Sequence, residues 1–139
     1  MPRQIVVPFD DSPHSRKALE YAIETFPHGE ITALHVVDPT NRYMYGDSVA
    51  NEAIFERKQK RGEELLERAH ELARDRGVDI ETELETGAPA RVVNTYAHSH
   101  DVDHVVMGSH GRSGVGRILL GSVAERVVRR SSVPVTILR

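Results

Sequence analysis

The chain has no cysteine among its 139 residues, so it can form neither a disulfide framework nor a thiolate metal site. It also has no apolar run long enough to span a bilayer, and its start does not resemble a signal peptide. We therefore expect a cytoplasmic protein without membrane insertion. A basic excess is lacking too, since the formal net charge is −3, which argues against a general nucleic-acid binder.

Common catalytic and nucleotide-binding motifs are also missing. There is no H-E-x-x-H pattern, and the eight histidines are scattered, which favours surface or packed histidines over metal ligands. No nucleophilic triad or carboxylate pair is legible. Neither G-x-x-x-x-G-K-[ST] nor G-x-G-x-x-G occurs, so the two common phosphate-binding fingerprints are excluded.

What the chain does have is a regular alternation of strand and helix patterns. Its length suits one domain over residues 1–139, and 39% hydrophobic and 28% charged residues are typical of a globular protein. Apolar patterning predicts strands at 3–9, 30–37, 78–86, 102–107 and 133–138. It predicts helices at 13–26, capped by Ser12, at 52–76, ended by Gly77, from about 89, and at 123–130.

This order predicts an α/β fold: a single-domain, open, five-stranded parallel sheet with helices on both faces and Rossmann-like connections. We expect the strand order 3-2-1-4-5, with an edge position for the last strand. In such sheets, ligands bind beyond the carboxyl ends of the strands where the order reverses. That point lies between the first and fourth strands.

A glycine-rich segment, 108–122, follows the fourth predicted strand and holds five of the ten glycines. Strand, glycine loop and helix form a layout that binds phosphate, because main-chain N–H groups and a helix N-terminus can approach an anion closely. Arg112 and Arg117 would add cations. The alternative is a flexible surface loop with turn glycines.

The glycine spacing, Gly108-x2-Gly111-x9-Gly121-Ser122, resembles the G-x2-G-x9-G-[ST] motif of the ATP-binding universal stress proteins. The resemblance extends to the opening strand with Asp10, to His35-Val36, to Gly87-Ala88-Pro89 and to Val133-Pro134-Val135. It therefore covers essentially the whole chain and implies a fold like that of the adenine nucleotide alpha hydrolases.

The resemblance implies a role for each matching position. Asp10 would bind the ribose hydroxyls, the Val36 backbone would meet the adenine edge, and Pro8 and Met107 would form apolar walls. Gly108 and Gly111 would lie against ribose and α-phosphate. The candidate phosphate-binding positions are His110, Arg112, Gly121, Ser122 and Val123.

Each role has a structural alternative. Asp10 could cap the first helix, Ser122 could cap the last, and Val36 and Met107 are core residues on either interpretation. His110 could be an exposed loop histidine rather than a phosphate contact or general base. Tyr43 and Tyr45, in the stretch 40–51, could form a lid over a base or pack on the surface. A bulky residue at Gly121 is expected to fill the phosphate space with little effect on folding.

The function implied is an ATP-binding regulator with slow or no hydrolysis, with Mg²⁺ held mainly by phosphates and water. ATP would order the glycine loop and change a surface that an unidentified protein partner reads. The edge strand 133–138 predicts a homodimer. The alternatives are an adenine-nucleotide hydrolase with real turnover and a nucleotide-free dimeric interaction module.

Overall fold

The computed structural model describes residues 3–39, 48–110 and 120–139, with side chains omitted for 48–50. Within these ranges, strands and helices alternate as the sequence predicts. The strands are β1 (Gln4–Pro8), β2 (Glu30–Val37), β3 (Glu81–Thr86), β4 (His104–Gly108) and β5 (Val135–Leu138). The helices are α1 (Pro13–Thr25), α2 (Ser48–Asp75), α3 (Pro89–Ser99) and α4 (Ser122–Arg130). None of these helices combines the length and the apolar character that crossing a membrane requires.

The strands form one parallel sheet in the order β3-β2-β1-β4-β5, which confirms the predicted topology and the edge position of the last strand. The order reverses between β1 and β4, which are hydrogen-bonded neighbours. The carboxyl ends of these two strands therefore flank the crevice in which such sheets bind ligands.

The sheet separates two apolar cores. Along β1, Ile5 and Val7 pack with α1 and α2, whereas Val6 packs with α3 and α4. Successive side chains of a strand point to opposite faces, so a strand covered on both sides needs apolar residues at every position. This explains the continuous apolar run that predicted β1.

Several predicted boundaries were wrong by two to four residues. The second helix begins at Ser48 rather than 52, and β3 begins at Glu81 rather than Val78. Val78 instead helps to end α2: its N–H donates to the Ala73 carbonyl at 3.0 Å, while Gly77 adopts a φ of +72°, the left-handed cap that was predicted. This cap uses residues that the alternating pattern had assigned to the strand.

The last strand begins at Val135 rather than at Val133. The Ser131 hydroxyl donates to the Val133 carbonyl at 2.7 Å and accepts from the Val133 N–H at 3.1 Å. These bonds hold Val133 in a turn, and Pro134 has no N–H to offer. The sequence predicted the strand's position correctly but made it two residues too long.

Candidate functional site

The candidate site is the crevice at the carboxyl ends of β1 and β4, where the sheet order reverses. The chain leaves β1 through Phe9, Asp10 and Asp11 into α1, and leaves β4 through Ser109 and His110. The N-termini of α1 and α4 follow these two exits. Two positive helix ends and two strand tips therefore border one crevice.

The turn after β1 is built by short polar side chains. Asp10 Oδ1 accepts from the Ser12 N–H at 3.0 Å, and Ser12 Oγ accepts from the Ser15 N–H at 3.2 Å. Ser12 is thus the N-cap of α1, as predicted. The alternative role of Asp10 as the helix cap is wrong, because Asp10 closes the turn that precedes the cap.

Asp11, which the sequence did not single out, holds the same turn from the other side. Its φ is +62°, in the left-handed region that non-glycine residues rarely adopt, and its carboxylate lies 2.9 Å from Nη1 of Arg68 and 3.9 Å from Nε of Arg16. The carboxylate is therefore committed to ion pairs with α1 and α2.

The N-terminus of α4 is capped by Gly121 and not by Ser122, so the predicted capping role of Ser122 is wrong. Ser122 is exposed at the first helical position, and the glycine cap makes no side-chain hydrogen bond to the first turn. Helix α1, by contrast, has its cap satisfied by Ser12. The cap of α4 thus supplies no side-chain acceptor to the first-turn N–H groups, which include those of Ser122 and Val123.

Gly121 also closes the base of the glycine segment. Its N–H donates to the Ser109 carbonyl at 2.6 Å, and a Cβ at position 121 would lie 2.9 Å from that oxygen. The φ of Gly121 is −64°, which any residue can adopt. The expectation that a bulky residue here would leave folding unaffected is nevertheless wrong, because the side chain would collide with main chain.

Gly108 lies against the first turn of α1. A Cβ at this position would come within 2.6 Å of His14 Cβ and 2.8 Å of its carbonyl carbon. The absence of a side chain therefore lets α1 approach the tip of β4, a packing reason for glycine that holds with or without a ligand.

That close approach brings His14, which the sequence did not indicate, next to His110. The two ring centroids are 5.7 Å apart, and His110 Nδ1 lies 3.1 Å from Oγ of the buried Ser109. His110 is half-buried rather than fully exposed. No spacing rule in the sequence predicts this pair, because the histidines belong to segments almost a hundred residues apart.

The three predicted apolar contacts are brought to one face of the sheet. Val36 and Met107 belong to the core on the α3 and α4 side, and Pro8 pairs with Leu34 of the same core. Met107 is only 4% exposed, so it serves the core, while Pro8 and Val36 are half-buried at the strand ends. Phe9 faces the opposite core, and its carbonyl lies 2.8 Å from His35 Nδ1.

Five residues with a predicted role lie outside the described residues: Gly111, Arg112, Arg117, and Tyr43 and Tyr45 of the proposed lid. Among the residues that the structure does describe, no three His, Asp or Glu side chains are grouped as a metal site.

Asp103 lies just before β4, at the end of the strand opposite to the crevice. Its carboxylate accepts the N–H groups of Gln4 and Arg3 at 2.9 and 2.8 Å, and these bonds lower its pKa. It joins the amino-terminal ends of two strands and takes no part in the crevice.

Comparison with known proteins finds relatives in both sequence and fold. The model of the Universal stress protein family matches residues 1–139. A universal stress protein of Methanocaldococcus jannaschii is 35% identical over 139 residues, which cover 99% of this chain and 82% of that protein. The structure of a universal stress protein from Lactobacillus plantarum has a TM-score of 0.86 at 23% identity, covering 99% and 97% of the two chains. A universal stress protein solved in complex with cAMP has a TM-score of 0.73 at 25% identity, covering 99% and 97%.

Proposed function

Because this chain belongs to the universal stress protein family, we propose that it binds an adenine nucleotide, ATP with Mg²⁺, in the crevice between β1 and β4. One observation carries the proposal: α4 begins at a glycine cap, which offers no side-chain acceptor to the first turn, directly beside the tip of β4. Such a helix end binds phosphate through main-chain N–H groups. The solved relative in complex with cAMP supports an adenine ligand.

The nucleoside would lie over the sheet edge on the α3 and α4 side. Pro8 and Val36 offer half-buried apolar surface there, and the Val36 main chain would meet the adenine edge. Asp10 would accept hydrogen bonds from the ribose hydroxyls, while its Oδ1 continues to hold the turn. Gly108 would lie beneath the ribose.

The phosphate tail would lie against the start of α4. Gly121, Ser122 and Val123 would contribute main-chain N–H groups, and His110, with Gly111 and Arg112, would contact the phosphates. Mg²⁺ would be held by phosphate oxygens and water. When bound, it would neutralise part of the phosphate charge.

We propose a regulatory role with slow or no hydrolysis, in the cytoplasm and in contact with a protein partner. Rapid hydrolysis needs a group that orients the attacking water and cations that stabilise the transferring phosphate. Around the crevice, Asp11 is engaged by Arg68 and Asp10 by the Ser12 N–H. A nucleotide-dependent change of surface is therefore the role that this arrangement supports better than catalysis.

We also propose a twofold homodimer through β5. The two sheet edges differ in charge: β3 exposes Glu81, Glu83 and Glu85, whereas β5 carries only Val135, Thr136, Ile137 and Leu138. Like charges keep edge strands apart, and an uncharged β-branched edge favours pairing with a second copy.

Titration calorimetry with ATP, 2′-deoxy-ATP and cAMP in the presence of Mg²⁺ tests the nucleotide site. Asp10→Asn keeps an oxygen for the Ser12 N–H but removes the charge that would hold the ribose. We expect it to weaken ATP binding by roughly 10-fold or more, the effect of about 1.5–3 kcal/mol for a charged hydrogen bond. Binding of 2′-deoxy-ATP should fall less, because one partner hydroxyl is already gone.

Asp79→Asn is the matched control, since Asp79 is exposed two residues before β3, at the end of the sheet opposite to the crevice. Equal losses for ATP and 2′-deoxy-ATP in the Asp10 variant would contradict the ribose contact. Absence of heat with all three ligands would favour the nucleotide-free module. Steady phosphate release at many turnovers per minute would favour the hydrolase.

A further inference from the structure

A groove with a single sign of charge lies between α3 and α4 and extends along α4 from Val123 to Arg130. Its lining includes four arginines, Arg91, Arg126, Arg129 and Arg130, together with His98, and no carboxylate. The whole chain has a net charge of −3, so this concentration of cations is local. An anionic group of some kind is therefore the complement of this surface.

Most of these cations are without an ionic partner among the residues that the structure describes. Arg129 pairs with Glu125 at 2.9 Å on the exposed side of α4, but Arg91, Arg126 and Arg130 form no ion pair there. The groove wall also contains Asn94, whose buried Oδ1 has no hydrogen-bond partner among the described residues. The groove is thus electrostatically incomplete within this part of the chain.

The chain carries a complementary surface on β3. Glu81, Glu83 and Glu85 alternate along this edge strand, all three are exposed, and none forms an ion pair within the described residues. Between them, Thr82 lies 3.3 Å from His70 of α2, so alternation turns the glutamates to the opposite face, the face of α3. Burial raises the pKa of Tyr96 on α3, and Glu83, Glu85 and Glu81 add to this shift, which agrees with that placement.

We propose that the acidic edge of β3 in one copy docks into the cationic groove between α3 and α4 of a second copy. Alternate residues of a strand are about 6.6 Å apart, and Arg126 and Arg130, four residues apart on a helix, rise by about 6 Å. Three carboxylates in a row thus match the spacing of the arginines.

A second copy fits the groove better than a nucleic acid does. The groove lining contains no Phe, Tyr or Trp on which a base could stack. Because β3 repels another β3, its partner has to be cationic, and the α3–α4 groove supplies that charge. A contact between two different surfaces is head-to-tail, so it can extend an assembly beyond a closed dimer.

Light scattering coupled to size exclusion, at several protein concentrations, tests this contact. Between about 500 mM and about 20 mM NaCl the screening length grows severalfold, so we expect the average mass to rise at least twofold at low salt. A dimer through the uncharged β5 would not respond to salt in this way. The salt response therefore distinguishes this contact from a β5 dimer. The measurement is made without nucleotide, so it does not depend on the nucleotide site.

Two charge-reversed variants make the test specific. The groove variant carries Arg126→Glu and Arg130→Glu, and the edge variant carries Glu83→Lys and Glu85→Lys. Each should lose the low-salt association, because each now has two surfaces of like charge. An equimolar mixture should regain it, because the reversed edge of one matches the reversed groove of the other.

The control variants make the same changes of net charge on α2: Arg57→Glu with Arg61→Glu, and Glu63→Lys with Glu67→Lys, all at exposed positions. These should associate like the unmodified chain. A mass that is independent of salt, persistence of association in both single variants, or failure of the mixture to associate would overturn the proposal. Binding of poly-glutamate to the groove without self-association would overturn it too, since the occupant would then be another acidic chain.

Discussion

The histidines of this protein lie in different environments, and these environments suit different roles. His35 and His104 are packed side chains with polar partners: His35 Nδ1 lies 2.8 Å from the Phe9 carbonyl, and His104 Nε2 lies 2.7 Å from Thr136 Oγ1. His14 and His110 face each other at the mouth of the crevice. The interpretation of surface or packed histidines is thus confirmed for the first two, while the second two border the candidate site.

His104 gives a prediction for the pH dependence of stability. Burial lowers its pKa below the usual 6.5, so the folded chain binds this proton less readily than the unfolded chain does. The free energy of unfolding should therefore decrease as the pH falls from about 7 through 6.5 toward the folded pKa. In His104→Gln this part of the pH dependence should be missing, as measured by urea unfolding at several pH values.

His28→Gln is the control, because His28 is exposed in the turn before β2. The slope of stability against pH, and not stability itself, is the quantity to compare, since His104→Gln also changes the bond to Thr136. If the slope of His104→Gln equals that of the unmodified chain, the lowered pKa of His104 is wrong.

At the scale of elements, helix ends distinguish α1 from α4. In α1, the Ser12 side chain caps the first turn and contributes to stability, whereas in α4 the glycine cap makes no side-chain hydrogen bond. Ser12→Ala should therefore lower the free energy of unfolding by about 1 kcal/mol. Chemical denaturation without ligand measures this loss.

Ser132→Ala provides the comparison for this change, since Ser132 is exposed after α4. It should shift the unfolding midpoint little. Equal midpoints for the two variants would mean that the Ser12 cap adds nothing measurable to α1.

A substitution at Gly121 is a poor test of phosphate binding at the start of α4, because it also disturbs the main chain. A side chain at this position would meet the Ser109 carbonyl before it met a phosphate. Loss of nucleotide binding in a Gly121 variant would therefore reflect a distorted loop as well as a blocked site. Asp10→Asn keeps the oxygen that closes the turn, so it tests nucleotide binding without distorting the main chain.

At the scale of the whole molecule, the proposed dimer depends on the free edge of β5. The carbonyls of Pro134 and Leu138 face β4, so alternation turns the N–H of Ile137 toward the open edge. Ile137→Pro removes that donor and should convert the dimer to a monomer, as measured by sedimentation equilibrium at moderate salt. Ile137→Ala loses the side chain but keeps the N–H, so it should remain dimeric.

A dimeric Ile137→Pro variant with native circular dichroism would exclude β5 as the pairing edge. A monomer in both variants would attribute the dimer to the side chain rather than to the strand. The acidic edge of β3 is the other edge of the same sheet, so together the two edges would set the assembly.

The sequence by itself determined the order of elements, the parallel sheet with both faces covered, the Ser12 cap and the Gly77 cap. These follow from local patterning: apolar runs for strands covered on both sides, short polar residues before a helix and glycine after one. The predicted strand order further indicated the end of the sheet at which ligands are expected to bind. The sequence placed the starts of β3 and β5 too early, because Val78 and Val133 have side chains typical of strands but are held by turn hydrogen bonds.

Only the tertiary structure decided which distant residues meet. His14 lies beside His110 because Gly108 allows α1 close to β4, and Gly121 rather than Ser122 caps α4 because its N–H reaches the Ser109 carbonyl. The arginines of α3 and α4 form one groove because the two helices pack on the same face of the sheet. Such contacts form when segments far apart in the chain pack together, so local sequence patterns do not predict them.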